Sequence, residues 1–149
     1  MDNEVQCKKD EEVLAEIYRN SQLAIQSISN ILPETEDEDI KKEIESEYEG
    51  YEKISGKACV IAKNRGIELK EPNPFKKAMM WSSIKMSTLG DNSRSHIADM
   101  MAQGSLMGIS ALRKTAGELS PEGNEDIKSL LKEMIEKEEE FEKVWKAYL

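Results

Sequence analysis

The sequence predicts an all-α protein built as one bundle of four long helices. Of its 149 residues, 34% are charged and only 5% are aromatic, a composition typical of charged helical faces around a single core. Apolar residues recur at alternating steps of three and four, the spacing that keeps side chains on one face of a helix. Alternating runs of β-branched residues, which would indicate strands, are few. A chain of this length corresponds to one domain, so we expect residues 1–149 to share one core.

The first long helix is predicted to run from about residue 10 to residue 32, because Pro33 keeps the residue before it out of helical geometry. Residues 1–9 precede this helix, are rich in charge, and are expected to be disordered. They contain no apolar run of the kind that a signal peptide has, so we predict a cytoplasmic protein. Cys7 and Cys59 have no metal-binding spacing, which indicates two reduced thiols.

The second long helix is predicted to end near Asn64, where Gly66 suits a C-terminal cap. Thr35 and Glu38 have the spacing of a capping box and would mark its start. Its apolar stripe contains one carboxylate and consists of Ile40, Ile44, Glu47, Tyr51, Ile54, Ala58 and Ile61.

Residues 66–92 form a long connection that is predicted to carry the chain from one end of the bundle to the other. Asn73 and Pro74 have the positions of a helix cap and a first helical residue, and a short amphipathic helix follows them. The apolar face of this helix is Phe75, Met79, Ser82, Met86 and Leu89. A break at residues 90–93 is predicted to end it, and one unbroken helix over residues 75–116 is the alternative.

The third long helix is predicted from Ser93 to Ala116 and the fourth from about Asn124 to the C-terminus. The buried face of the third helix is predicted to be Ile97, Met100, Gly104, Met107 and Ala111. The stripe of the fourth helix, again with one carboxylate, is Ile127, Leu131, Met134, Glu138, Phe141, Trp145 and Tyr148. Short links within the first and the last helix pair imply two antiparallel hairpins.

Glu47 and Glu138 each interrupt an apolar stripe near its middle. An ionised carboxylate inside a core is costly unless it is paired, hydrogen-bonded or bound to a cation. Counting back from the turn of each hairpin places Gln22 opposite Glu47 and Gln103 opposite Glu138. We therefore predict a polar layer of these four residues, with Tyr51 as a further oxygen donor.

This layout resembles the ferritin-like superfamily, whose di-iron members use one glutamate on each of two helices and a Glu-x-x-His motif on each of the other two. Glu47 and Glu138 match the glutamates of the two Glu-x-x-His motifs. Gly50 and Phe141 stand where the histidines would be, and glutamines stand near the other two glutamates. The stretch 95–108 is also similar to a group of small uncharacterised bacterial proteins. The resemblance implies a ferritin-like four-helix bundle with hairpins 1-2 and 3-4, a crossover between them and a degenerate di-iron site.

The sequence is compatible with three functions. A neutral amide is a poor replacement for a carboxylate that must balance two iron ions, so we predict a non-catalytic bundle without a cofactor, acting through its surface or by self-association. The alternative is a metal-binding protein for iron, manganese or zinc. Its ligands would be Glu47 and Glu138, with Gln22, Gln103 and Tyr51 as weaker donors. A second alternative is copper(I) binding by His96, Met100 and Met101, because thioethers are soft ligands.

The net charge of −9 disfavours nucleic acid and anionic membranes as partners, because both attract basic patches. Gly104 and Gly108 make one side of the third helix smooth, which permits the close approach of a second backbone. That side would admit either the crossover helix or a second copy of the protein as a homo-oligomer contact, and both interpretations stay open.

Overall fold

The computed structural model describes residues 8–149, and every named element in that range is helical. The five α-helices are α1 (Asp10–Ile31), α2 (Glu38–Arg65), α3 (Pro74–Leu89), α4 (Arg94–Gly117) and α5 (Glu125–Lys146). A 3-10 turn over Leu32–Glu34 follows α1. The all-α class is therefore confirmed. No helix in the described range is both long and apolar enough to cross a membrane.

The chain before α1 is described from Lys8 onward. The backbone N–H of Lys8 donates to the carbonyl oxygen of Glu118 at 2.8 Å. The expected disorder of residues 1–9 stays a prediction, because the first seven of them, Cys7 included, lie outside the described range. Cys59 is a free and exposed thiol.

Polar caps and one left-handed glycine set the ends of most helices. The side chains of Asn73, Ser93 and Asn124 accept hydrogen bonds from backbone N–H groups in the first turns of α3, α4 and α5. Gly66 ends α2 with a φ of 67°, a conformation that favours glycine. Residues 90–93 separate α3 from α4, so the alternative of one unbroken helix is wrong.

The start of α2 differs from the prediction. Asp37 caps the helix by accepting hydrogen bonds from the backbone N–H groups of Asp39 and Ile40, at 3.0 and 3.1 Å. The Thr35 hydroxyl instead donates to the last carbonyl oxygen of α1 at 3.0 Å. The predicted capping box of Thr35 and Glu38 is wrong, because the 3-10 turn after α1 delays the start of α2.

α3 runs alongside α1 and in the same direction. Three hydrogen-bonded pairs occur in order along the two segments: Tyr18 with Glu71 at 2.8 Å, Ser27 with Met80 at 2.8 Å, and Glu34 with Lys85 at 2.6 Å. α3 therefore carries the chain from the end of α2 back to the level where α4 begins. α1 pairs with α2 in one hairpin, and α4 pairs with α5 in the other.

Polar contacts at both ends of the bundle align the two hairpins. At one end the Arg94 guanidinium contacts the Asp37 carboxylate at 2.7 Å and lies 5.5 Å from the centroid of the Tyr148 ring. At the other end the Asp10 carboxylate accepts a hydrogen bond from the backbone N–H of Asn124 at 3.0 Å. The Arg94–Asp37 and Asp10–Asn124 contacts each join the first hairpin to the second.

The stripes predicted for α2 and α5 face the core. Their almost fully buried members include Ile40, Ile44, Ile54, Ile127, Leu131 and Met134. Three members of these stripes, Ile61, Phe141 and Tyr148, are only partly buried. The core therefore lies between the two hairpins and contains the inward positions of both glutamates.

α4 is rotated about its axis relative to the prediction. Its buried residues include Ile97, Met101, Ser105, Leu112 and Thr115. Of the predicted face, Met100 is only partly buried and Gly104, Met107 and Ala111 are exposed. Both faces have helical spacing and consist of small or apolar residues, so periodicity alone does not choose between them. The choice is made by α1, α2 and α5, which pack against the Ser105 side.

The apolar face predicted for α3 points to solvent. The exposed fractions are 71% for Phe75, 59% for Met79, 77% for Met86 and 88% for Leu89. The opposite side of the helix packs on the bundle through Ile84 and Thr88, which are buried. α3 is thus apolar on two sides, and α1 covers only the side of Ile84.

Candidate functional site

Glu47 on α2 and Glu138 on α5 lie together in the core. Their helices are packed neighbours, and each glutamate occupies an inward position of its stripe. Glu47 is 2% exposed and Glu138 is 3% exposed. The structure thus places two carboxyl groups in an apolar interior, where each needs a polar partner.

Two buried polar groups from other helices lie at the Glu47 carboxyl group. The indole N–H of Trp145 donates to Glu47 Oε2 at 3.1 Å. The Ser105 hydroxyl of α4 lies near the same carboxyl group and lowers its pKa. Both Trp145 and Ser105 are buried, so Glu47 is in contact with α4 and α5.

Glu138 has fewer partners than Glu47. The Tyr51 hydroxyl lies near its carboxyl group and lowers its pKa, but Oε2 of Glu138 is buried and has no hydrogen-bond partner within the described chain. The group lies against the backbone of α4 at Gly108. A Cβ atom added there would come within 2.8 Å of Oε1 and 2.9 Å of Oε2, so the glycine is what makes room for Glu138.

Burial raises the pKa of both glutamates towards neutrality. For Glu47, loss of solvation raises the pKa to about 8; the hydrogen bond from Trp145 lowers it, the charge of Glu138 raises it and Ser105 lowers it. For Glu138, burial raises the pKa to about 7 against the hydrogen bond from Tyr51. Burial and the two carboxylates also hold the pKa of Tyr51 well above its usual value. At neutral pH the pair therefore carries fewer than two negative charges.

The two predicted glutamines lie outside this layer. Gln22 is partly buried on α1, and its amide donates to the Ser55 hydroxyl at 2.7 Å. Gln103 is exposed on α4, and its amide donates to Asp99 at 2.9 Å. The structure therefore brings the two glutamates together with Tyr51 but leaves both glutamines out.

A glycine and an aromatic ring fill the two positions that the ferritin-like motif gives to histidine. A Cβ atom added to Gly50 would come within 2.9 Å of Phe141 Cζ, so the phenyl ring lies over the glycine. The same ring packs on Tyr51, with centroids 5.5 Å apart. An apolar ring thus occupies the space beside the layer and offers no ligand to a metal.

The layer offers few donors to a metal ion. Across residues 8–149, no three side chains of His, Cys, Asp or Glu converge in a way that could hold one. The ionisable oxygens that do meet belong to Glu47, Glu138 and Tyr51. This set does not fit a di-iron centre, which draws on four glutamates and two histidines.

Two of the predicted copper(I) ligands, His96 and Met100, both contact Ser87, whereas Met101 does not join them. The ring Nε2 of His96 donates to the carbonyl oxygen of Ser87 at 2.9 Å, and the sulfur of Met100 accepts from the Ser87 hydroxyl at 3.4 Å. Met101 is buried in the core. Because Met100 and Met101 are successive residues, their side chains leave α4 on different faces.

The predicted smooth side of α4 is divided in the structure. Gly108 faces the core at Glu138, whereas Gly104 has no neighbouring atom within 4 Å of an added Cβ. The two glycines therefore do not form one contact face for another helix. A homo-oligomer contact through both of them stays a prediction that this geometry does not favour.

Three contributors to the layer were not identified from the sequence: Ser105, Gly108 and Trp145. Trp145 could have been identified from the sequence, because it lies two turns after Glu138 on the same stripe and its indole N–H is a hydrogen-bond donor. Ser105 and Gly108 share the inward face of α4, but a serine and a glycine within an apolar pattern look like ordinary packing positions. Only the rotation of α4 distinguishes them.

Comparison with known proteins gives no match to a family model, to a curated protein or to a solved structure. The function is therefore argued from the chemistry of the layer and of the surface.

Replacing Gly108 by alanine is expected to destabilise the protein by roughly 1–3 kcal/mol, because the new methyl group overlaps the carboxyl group of Glu138. The matched control is Gly104→Ala, one turn earlier on α4 and open to solvent. It is expected to stabilise the protein by roughly 0.5–1 kcal/mol through helix propensity. Urea denaturation measures both.

The same Gly108→Ala change made in a Glu138→Ala background is expected to lose its penalty, because the overlapping group is gone. Equal penalties in the two backgrounds would mean that Gly108 does not serve Glu138.

The pH dependence of stability tests the buried pair. The folded-state pKa values, about 8 and about 7, lie above the usual 4.5, so the folded protein binds protons more tightly than the unfolded chain. The stability contributed by these groups is complete below about pH 4.5 and is lost as pH rises through the folded-state values. Between about pH 5 and about pH 9, wild type is expected to lose a few kcal/mol relative to Glu47→Gln/Glu138→Gln. Parallel stability profiles would contradict the burial of ionisable carboxyl groups here.

Proposed function

We propose that this protein is a non-catalytic, ferritin-like helical bundle that acts through its surface, and that it uses the outward side of α3. The main support for the proposal is the exposure of several apolar side chains on that side. Phe75, Met79, Met86 and Leu89 on that side are between 59% and 88% exposed. We call these four residues the α3 apolar face.

The connectivity supports the ferritin-like part of the proposal. Ferritin-like bundles have one long crossover between two antiparallel hairpins. Here α3 and the residues just before it lie in the connection between the hairpins and run beside the chain from Tyr18 on α1 to Glu34 in the turn that follows it. The inward glutamates, Glu47 on α2 and Glu138 on α5, agree with the same arrangement.

The chemistry of the core supports a non-catalytic role. Acid–base catalysis needs groups that a substrate can reach, whereas Glu47 and Glu138 are almost wholly buried. The ring of Phe141 fills the adjoining space over Gly50. Buried carboxyl groups with donors on neighbouring helices can fix which residues face one another, and this is the role we assign to the pair.

The exposure of the α3 apolar face supports a surface function. Single apolar residues on a protein surface are normal, whereas several on one element indicate an interaction site. Phe75, Met79, Met86 and Leu89 follow the four-and-three spacing that places them on one side of the helix. The side of Ile84 already packs on the bundle, so a partner would have to bind the outer side.

Photocrosslinking in the source cell tests this assignment. A photoreactive residue at Met79, in the α3 apolar face, is expected to capture a partner because the position is buried in the complex. The matched control places the same residue at Glu52, an exposed position on α2, where no adduct is expected. Adducts from both positions, or from neither, would contradict the proposal.

A second function, metal binding, is favoured by the orphaned Oε2 atom of Glu138. A divalent cation held by Glu47, Glu138 and Tyr51 would satisfy that atom, and iron, manganese and zinc accept such oxygen ligands. In that case the melting temperature would rise with one specific cation, because a ligand of the native state stabilises it by mass action. The surface proposal expects the same melting temperature with and without each cation, in wild type and in Glu47→Ala/Glu138→Ala alike.

A further inference from the structure

α3 is a basic helix in an acidic protein. It carries Lys76, Lys77 and Lys85 and no acidic residue, whereas the whole chain has a net charge of −9. Lys85 pairs with Glu34 at 2.6 Å. Lys76 and Lys77 form no ion pair with any residue of the described range. Lys76 is exposed at the margin of the α3 apolar face, whereas Lys77 is half-buried on the side of Ile84.

The basic character extends beside α3. A groove of about 490 Å³ lies between α1, α3 and α4, and its cationic lining includes Arg19, Lys76 and Lys114. The two acidic residues that also line it are both within ion-pair distance of Lys8. The side of the bundle that displays the α3 apolar face is therefore positive as well as apolar.

The net charge of the whole chain does not govern binding on this side. Exposed charges are largely screened beyond ~8 Å at physiological ionic strength. The groove between α2 and α5 is lined by four glutamates, Glu43, Glu49, Glu133 and Glu140, and two lysines, Lys53 and Lys137, and it lies on helices with which α3 makes few or no contacts. A helix is ~10 Å across, so this more acidic side is more than one screening length away. The negative charge of the chain is therefore not spread evenly over its surface.

A second copy of the chain suits the α3 apolar face poorly. α3 has 16 residues and is therefore ~24 Å long, and with a width of ~10 Å its outer side offers ~240 Å². A stable protein interface buries ~800 Å² on each partner. Two α3 helices facing each other would also bring lysines together with no acidic residue to balance them.

We propose that α3 binds in the plane of an anionic membrane surface, with the α3 apolar face among the lipid chains and the lysines at the phosphates. This inference names the partner of the proposed functional surface and so rests on that proposal. A surface-bound amphipathic helix combines aromatic and aliphatic residues on one side with lysines beside them. Phe75, Met79, Met86 and Leu89, with Lys76 at the margin of that side, give α3 this combination. A bilayer adapts to the helix and needs no complementary pocket.

Vesicle binding by the full chain tests the inference. The probes are vesicles of phosphatidylcholine alone and vesicles of equal parts phosphatidylcholine and phosphatidylglycerol. Co-sedimentation with the mixed vesicles is expected. Binding should weaken with added salt and be much weaker to phosphatidylcholine alone.

Two double variants separate the apolar and the electrostatic contributions. Met79→Ser/Met86→Ser is expected to abolish co-sedimentation, because it removes the centre of the inserted side. Lys76→Gln/Lys77→Gln is expected to weaken binding by roughly tenfold, because each lysine near an anionic surface contributes to the attraction. Met79, Met86 and Lys76 are exposed, whereas Lys77 is half-buried on the side of Ile84, so circular dichroism checks that both variants remain folded.

The matched controls are Val60→Ser and Lys53→Gln, exposed changes of the same two kinds on α2. Unchanged binding by both controls is expected. Equal binding to neutral and anionic vesicles, or equal losses in the controls and the α3 variants, would overturn the inference. If Met79 crosslinks to a protein and wild type ignores both vesicles, the lipid inference fails while the proposed surface stands. If Met79 gives no adduct and no vesicle is bound, both fail.

Discussion

The fold depends on the burial of two carboxyl groups, Glu47 and Glu138, between its hairpins. A purely apolar contact would tolerate several rotations of α4, but these groups require particular donors and particular space. The buried Ser105 hydroxyl lies near Glu47 and lowers its pKa, and Gly108 makes room for Glu138. Since Ser105 and Gly108 share one face of α4, satisfying the pair fixes how α4 is rotated. That rotation decides which side of α4 enters the core and which remains beside α3.

The helices, their order and the stripes of α2 and α5 could be predicted from the sequence, because each of those helices has one apolar side and one charged side. The rotation of α4 could not, since Met100 and Met101 both belong to sets with helical spacing. The sequence places the polar layer within two residues of its observed position along α4. At that position, however, Gln103 faces solvent and Ser105 faces the core. The contacts that decide this join residues far apart in sequence, and no local pattern records them.

The side of α3 that packs on the bundle could not be predicted from the sequence either. It is apolar on two sides, so its periodicity cannot tell which side packs on the bundle. The contacts of Met80 with Ser27 and of Lys85 with Glu34 turn the side of Ile84 inward and leave the α3 apolar face outward. The bundle thus holds α3, a basic helix, with its apolar side facing solvent. In this account Glu47 and Glu138 fix the packing of the bundle and take no part in binding.

Elemental analysis of the natively purified protein tests this division of roles most directly. If Glu47 and Glu138 only stabilise the fold, neither wild type nor Glu47→Ala/Glu138→Ala contains stoichiometric metal. In wild type the polar neighbours of the two glutamates are then Trp145, Ser105 and Tyr51 alone. Stoichiometric iron, manganese or zinc in wild type that disappears in the variant would contradict the account and make the buried pair the functional centre of the protein.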